Sequence, residues 1–185
     1  MFCRISPSRI KDSVHVASAS TILEYFNYLE ETYLVQRIPR FAASQKASMS
    51  APKKVYACDT GLVSAIESID EANLGHKLEN LVYLKLRNPD DSIFYFVNDA
   101  DGTECDFVIE RRDGTFGAVQ VCWELSRDNE EREINGALRA MERFGLKEAV
   151  LVTRDQSDLI SEGGRIIRVV PAWKWLCGNS GDRPL

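Results

Sequence analysis

Residues 104–123 constrain this chain more than any other stretch. Two apolar runs, Cys105–Glu110 and Phe116–Trp123, flank Asp113-Gly114, a dipeptide that favours a tight hairpin. Each run carries a polar residue among apolar ones: Asp106 in the first, Gln120 in the second. Side chains alternate across a strand, so Gln120 and Cys122 share one face while Val119 and Val121 share the other. Folding back at Asp113-Gly114 sets Asp106 beside Gln120, pointing the same way. A carboxylate inside an apolar strand is costly to bury unless it is paired, so this hairpin marks a core with chemistry in it.

The surrounding pattern predicts an α/β domain. Leu74 to Leu86 reads as a helix with Leu78, Leu81, Val82 and Leu86 on one side. Asn88-Pro89-Asp90-Asp91 breaks it, and Ile93–Val97 opens the strands. Glu130 to Phe144 is an amphipathic helix with Ile134, Ala137, Leu138 and Met141 inward, closed by Gly145 where a helix C-terminal glycine belongs. Ala149–Thr153 and Ile166–Val170 are apolar runs suited to buried strands. Pro171 starts a last helical turn bearing Trp173 and Trp175. The order α-β-β-β-α-β-β gives helices on a central sheet.

Ahead of it, Ser18 or Ser20 caps a helix with Ile22, Tyr25, Phe26 and Leu29 at helical spacing. Tyr33–Ile38 reads as a strand stopped by Pro39, Ala42–Ala51 as a mobile loop of small polar residues, and Lys53–Ala57 as a returning strand. Helix, strand, loop, returning strand is the order of a winged helix, with its opening helix short or absent. Asp59 then caps a short helix reaching about Ile69. The domains expected are a partial winged helix over 1–58, an α/β domain over 59–177, and a disordered tail over 178–185.

With 185 residues and 44% hydrophobic content, a sizeable core is affordable. No apolar run nears the roughly 20 residues of a membrane span, and the first residues show no secretory pattern. Five scattered cysteines without a CxxC pair, and only two histidines, fit reduced thiols rather than a disulfide or zinc framework. These features predict a cytoplasmic protein with no membrane partner. Charge is uneven: residues 1–54 hold eight Lys/Arg against four Asp/Glu, a net +4, and the rest hold 15 against 24, a net −9. Phosphate contacts dominate nucleic-acid affinity, so DNA would meet the basic N-terminal third at Arg37, Arg40, Lys46, Lys53 and Lys54.

Several runs resemble a known family. They are Tyr28–Leu34, Pro52–Leu62, Gly75–Tyr83 with Leu78-Glu79-Asn80, Glu104–Val108, Val119–Cys122 followed by Arg132-Glu133-Ile134, and Val170–Leu176. Together they resemble the C-terminal domain of unknown function in prokaryotic AAA-type ATPases, a branch of the PD-(D/E)XK, restriction-endonuclease-like superfamily. The resemblance spans roughly residues 18–177. It implies a mixed sheet flanked by helices, preceded by a winged helix, in a longer protein with an N-terminal P-loop ATPase. This chain holds no Gly-x-x-x-x-Gly-Lys-[Ser/Thr], so it reads as a fragment of such a protein or the product of a gene that lost the motor.

In that superfamily a helix carboxylate, a strand carboxylate and a Glu-x-Lys on the next strand hold Mg²⁺, which activates water for phosphodiester cleavage. Carried over, the positions are Glu79, Asp106, Gln120 and Cys122, with Glu104 as a further metal-side carboxylate. Gln120 and Cys122 stand where the second carboxylate and the lysine belong. A thiol supplies no positive charge near neutral pH, and Gln120 removes a charge that would hold metal. The expectation is a degenerate site with no resident cofactor, or a weakly held Mg²⁺, in a module that binds DNA or a partner without cutting. Two alternatives stand beside it. One is an active nuclease whose cation has migrated, with Lys85, Arg127 and Arg132 as candidates. The other is a structural or oligomerisation module of an ATPase.

Overall fold

The computed structural model describes residues 4–66 and 73–178. The chain divides into two compact units, 1–73 and 74–185. The sequence places a boundary at 58/59; by contacts within the chain, the helix that follows Asp59 lies in unit 1. The expected tail falls outside the described residues except for Gly178, as do the last residues of the Asp59 helix.

Unit 1 holds β1 (Arg4–Ile5), α1 (Pro7–Ser13), α2 (Ala19–Glu31), β2 (Val35–Ile38), α3 (Gln45–Ser50), β3 (Lys53–Ala57) and α4 (Thr60–Ile66). Its sheet runs β1-β3-β2, antiparallel throughout, with Arg37 opposite Val55 and Arg4 opposite Lys54. Ser18 caps α2 by accepting from the amide of Thr21 at 3.2 Å, one of the two serines expected to do so. Asp59 Oδ1 accepts from Gly61 N at 2.6 Å, at the start of α4. The short helix α1 precedes α2.

The stretch expected as a mobile loop, 42–51, contains α3. Ser44 caps it, accepting from Ala47 N at 3.2 Å, and Ser48 Oγ donates to the carbonyl of Arg40 at 2.7 Å. Gln, Lys, Ala and Met are good helix formers; without an apolar stripe to bury, the segment gives no periodic signal.

Unit 2 runs α5 (Leu74–Leu86), β4 (Ser92–Val97), β5 (Glu104–Glu110), β6 (Phe116–Val121), α6 (Glu130–Phe144), β7 (Glu148–Thr153), β8 (Asp158–Glu162), β9 (Arg165–Pro171) and α7 (Ala172–Cys177). A mixed six-stranded sheet of order β4-β5-β6-β7-β9-β8 forms its centre. Strands β4, β5 and β6 pair antiparallel, β6–β7 and β7–β9 parallel, and β8 closes the edge antiparallel to β9. The β5–β6 turn bends at Gly114, whose φ of 81° suits glycine. Asp113 Oδ1 secures the turn by accepting from Thr115 N at 2.9 Å. Helices α5 and α6 have the limits the sequence predicts. The edge strand β8 was not foreseen: its residues are mostly exposed and show no alternation.

Helix α6 covers the Ala118/Gln120/Cys122 face, where Val108, Ala118, Ala137, Ala140, Met141, Leu151 and Ile167 form the core. Phe144, at the end of α6, stacks on Phe116 with ring centroids 4.8 Å apart. Helix α5 lies on the other face. Tyr83 stacks with Phe107 at 6.3 Å, and Phe107 pairs with Val119, not with the Gln120 face.

Candidate functional site

The hairpin delivers Asp106 and Gln120 side by side, as its spacing requires. Asp106 N donates to Gln120 Oε1 at 3.1 Å, and Asp106 Oδ2 accepts from Val121 N at 3.0 Å. Both side chains are buried, with 8% and 5% exposure. Gln120 is thus used at both ends, because its Nε2 donates to Glu133 Oε2 on α6 at 2.6 Å. Glu133 is itself buried, at 4%. Its other oxygen, Oε1, accepts from Arg132 Nε at 3.0 Å and also from Nη2. The hydrogen bond to Glu133 holds the Arg132 guanidinium more firmly in its charged form than usual.

Close approach of helix and sheet makes this network. A Cβ at Gly136 would sit 2.3 Å from the Glu104 carbonyl and 3.3 Å from Gln120 Oε1. No larger residue lets α6 come so near. Gly136 is three residues after Glu133, so the two share a helix face, and the contact at Gly136 is what sets Glu133 over Gln120.

Cys122 faces the same side. Its thiol donates to the Glu124 carbonyl at 3.1 Å and accepts from Asn129 Nδ2 at 3.5 Å. Burial, with the Glu133 carboxylate adding to it, pushes the thiol up to about 11. It is a neutral, inert thiol and supplies no charge where a lysine would.

Glu79, expected at this site, lies on α5. It shares a helical stripe with Tyr83, which packs on the Phe107 face, whereas Gln120 and Glu133 lie on the α6 face. Glu79 is nonetheless buried, at 9%. Glu104 is half-buried at the start of β5, and its carbonyl meets α6 at Gly136. The resemblance implies Mg²⁺ held by Glu79, Asp106 and Glu104; of these, Asp106 has one oxygen, Oδ2, accepting from Val121 N. Both Glu133 oxygens and both ends of the Gln120 amide are taken by protein partners, one of them a guanidinium. Among the described residues, no three His, Cys, Asp or Glu side chains are grouped so as to hold a metal ion.

The basic residues of unit 1 are placed unevenly. Lys54 is buried, at 5%. Arg37 is committed internally: Nη2 donates to Glu30 Oε2 and to Asn27 Oδ1 at 2.7 Å, and the guanidinium lies 5.5 Å over the Phe26 ring. Arg40 and Lys53 are half-buried, and Lys46 on α3 is exposed. Helix α2, in the recognition position of the expected winged helix, carries three carboxylates and no Lys or Arg.

Sequence reasoning missed Glu133 as a member of the site, although Arg132 was among its candidate cations. The available signal was position: Glu133 falls on the stripe of Gly136, Ala137 and Ala140, the buried side of α6.

Comparison with known proteins adds the following. The model of a family described as a domain of unknown function, DUF8612, matches residues 3–73, ending where unit 1 ends. The uncharacterized protein MJ1544 of Methanocaldococcus jannaschii is 30% identical over 168 residues, covering 85% of this chain and 36% of that protein. An uncharacterized protein of Haemophilus influenzae is 26% identical over 133 residues, covering 70% of this chain and 32% of that protein. The chain thus spans about a third of the length of the curated relatives it matches. No solved structure matches. Among the described residues, no helix is long and apolar enough to cross a membrane.

Proposed function

We propose that unit 2 is a restriction-endonuclease-like frame whose cleavage site has been closed from within, and that the chain works by binding rather than by chemistry. The frame is supported by the order of its parts. A helix precedes three antiparallel strands, Asp106 lies on the middle one, and Gln120-Val121-Cys122 follows on the next. The observation that carries the reading is the chain Asp106–Gln120–Glu133–Arg132. A metal-dependent nuclease needs carboxylate oxygens turned toward a cation and a positive group beside the attacking water. Here both Glu133 oxygens are bonded to the protein's own amide and guanidinium, Asp106 Oδ2 accepts from Val121 N, and Cys122 is a neutral thiol. Loss of one preorganised stabiliser costs on the order of 10²–10³ in rate; loss of the metal as well removes the reaction.

A protein partner suits unit 1 better than DNA does. Of the five cations assigned to DNA, one is buried and another is ion-paired, and α2 would bring carboxylates toward phosphates. We place the chain in a longer ATPase of the type it resembles, as a docking or assembly module.

The test is cleavage. Wild-type protein with Mn²⁺ leaves plasmid and single-stranded DNA intact, while Gln120→Glu with Cys122→Lys restores the charge pattern of a nuclease. Mn²⁺-dependent nicking by the double variant alone identifies a decayed site. Nicking by the wild type that Asp106→Ala abolishes would overturn the reading and make Arg132 the migrated cation.

A further inference from the structure

Unit 1 carries two surfaces that complement each other. The first is a cavity of about 210 Å³ lined by Leu23, Phe26, Met49 and Pro52 with Arg37 and Lys53, and by no carboxylate. An apolar cavity of about 150 Å³ holds benzene, so this one has room for a phenol ring. Glu30 neutralises Arg37, and among the described residues Lys53 has no ion-pair partner, so Lys53 gives the rim its positive charge.

The second surface is the opposite side of α2. At 3.6 residues per turn, Tyr25, Tyr28, Glu24 and Glu31 point away from Leu23 and Phe26. Tyr25 is 51% and Tyr28 58% exposed. Of the twelve large apolar side chains exposed among the described residues, seven lie between Val14 and Leu34. Such a concentration marks an interaction surface rather than scattered exposure, and tyrosine is enriched at the centres of protein interfaces.

We propose that unit 1 associates with a second copy of itself head to tail: Tyr28 of one copy enters the cavity of the next, and Glu24 and Glu31 face its Lys53. Charge selects this arrangement. Pairing two α2 surfaces across a two-fold axis sets Glu24 and Glu31 against carboxylates, and pairing two cavities sets Lys53 against Lys53. Plug against socket joins opposite charges around an apolar anchor. Because plug and socket lie on opposite sides of one helix, the contact is heterologous, and it extends to a ring or a filament. The inference rests on unit 1 alone; cleavage of DNA by unit 2 would leave it untouched.

Sedimentation velocity of the full chain over rising concentration tests it. Average mass increases with concentration, and salt weakens the association because the rim is charged. Tyr28→Ala, which removes the plug, and Met49→Glu, which sets a carboxylate in the socket and cancels the charge of Lys53, each weaken self-association by about tenfold or more. Tyr28→Phe keeps the ring and associates like the wild type. The decisive sample mixes Tyr28→Ala with Met49→Glu: one working plug and one working socket remain, so a 1:1 complex forms and grows no further. Both substitutions are at exposed positions, and thermal melts followed by circular dichroism check that each variant is folded. A wild type that stays monomeric at the highest concentration overturns the proposal. So do folded variants that associate as the wild type does, and a mixture that yields no 1:1 complex.

Discussion

In unit 2 the polar side chains between β5, β6 and α6 turn inward and bond to one another, whereas unit 1 turns large apolar and acidic side chains outward. Asp106, Gln120 and Glu133 are each under a tenth exposed, and the buried amide Nε2 of Gln120 has its acceptor in Glu133. On α2 only Ile22 is fully buried, while Tyr25 and Tyr28 are more than half exposed. A buried polar network contributes to a defined core when it is fully satisfied; an exposed aromatic face contributes little to folding and much to association. The difference teaches where each unit can act. Unit 2 holds Asp106, Gln120 and Glu133 in its interior, and unit 1 carries Tyr25 and Tyr28 at its surface.

The comparison can be broken first at Gly136. Gly136→Ala places a methyl 2.3 Å from the Glu104 carbonyl, so α6 must lift from β5. The expected cost is about 3 kcal/mol or more, read as a lowered midpoint in urea. A change under about 0.5 kcal/mol would mean that α6 does not lie so close and that the inward network is looser than described.

Cys122 reports on the same closure. With its thiol held at about 11 against an ordinary 9.0, the proton stays on to higher pH. At pH 8 the thiolate fraction is about 100-fold smaller than in the unfolded chain. Iodoacetamide labelling followed by mass spectrometry in buffer and in urea measures this. The same sign makes unit 2 lose stability as pH rises above about 9 toward 11. Equal labelling rates in buffer and urea would contradict a closed site.

Glu133→Ala strands the buried Nε2 of Gln120 and is expected to cost about 2 kcal/mol. Arg132→Ala costs less than about 1 kcal/mol, since the Arg132 side chain is 76% exposed and solvent screens the pair. If the two substitutions cost the same, the ion pair rather than the amide bond holds the network.

The smallest effect sharpens the description of unit 1. Tyr33 follows α2 with φ of 57°, while Tyr33 N donates to the Glu30 carbonyl and Leu34 N to that of Leu29, each at 3.0 Å. This is the helix ending that glycine favours, yet a tyrosine 79% exposed occupies it. Tyr33→Gly is expected to stabilise by up to about 1 kcal/mol. Destabilisation instead would show that the ring packs and is not displayed.

The parts of the fold that were legible in sequence share one property: their burial repeats along the chain. Helices α5 and α6 show it through apolar spacing, and the Asp106–Gln120 hairpin through strand alternation around a glycine turn. Segments α3 and β8 do not show it, because neither has a face that is consistently buried. Glu133 was hidden for another reason. In Glu130-Glu131-Arg132-Glu133 it looks like one more acid of a first helical turn, where the helix dipole favours negative charge. Only the crossing of α6 over β6, permitted by Gly136, separates it from its solvent-facing neighbours. The cations of unit 1 illustrate the converse. Charge counted along the chain does not tell which cations are displayed: strand pairing places Lys54 in the sheet, and Arg37 pairs with Glu30.

Titration of Mn²⁺ into the wild-type protein by calorimetry tests the central claim most directly, because it asks whether the oxygens of the Asp106–Gln120–Glu133 group are open to a cation. The account predicts no site of micromolar affinity, and no shift in thermal midpoint on adding Mn²⁺ or a chelator. A micromolar site in the wild type that disappears in Asp106→Ala would contradict it.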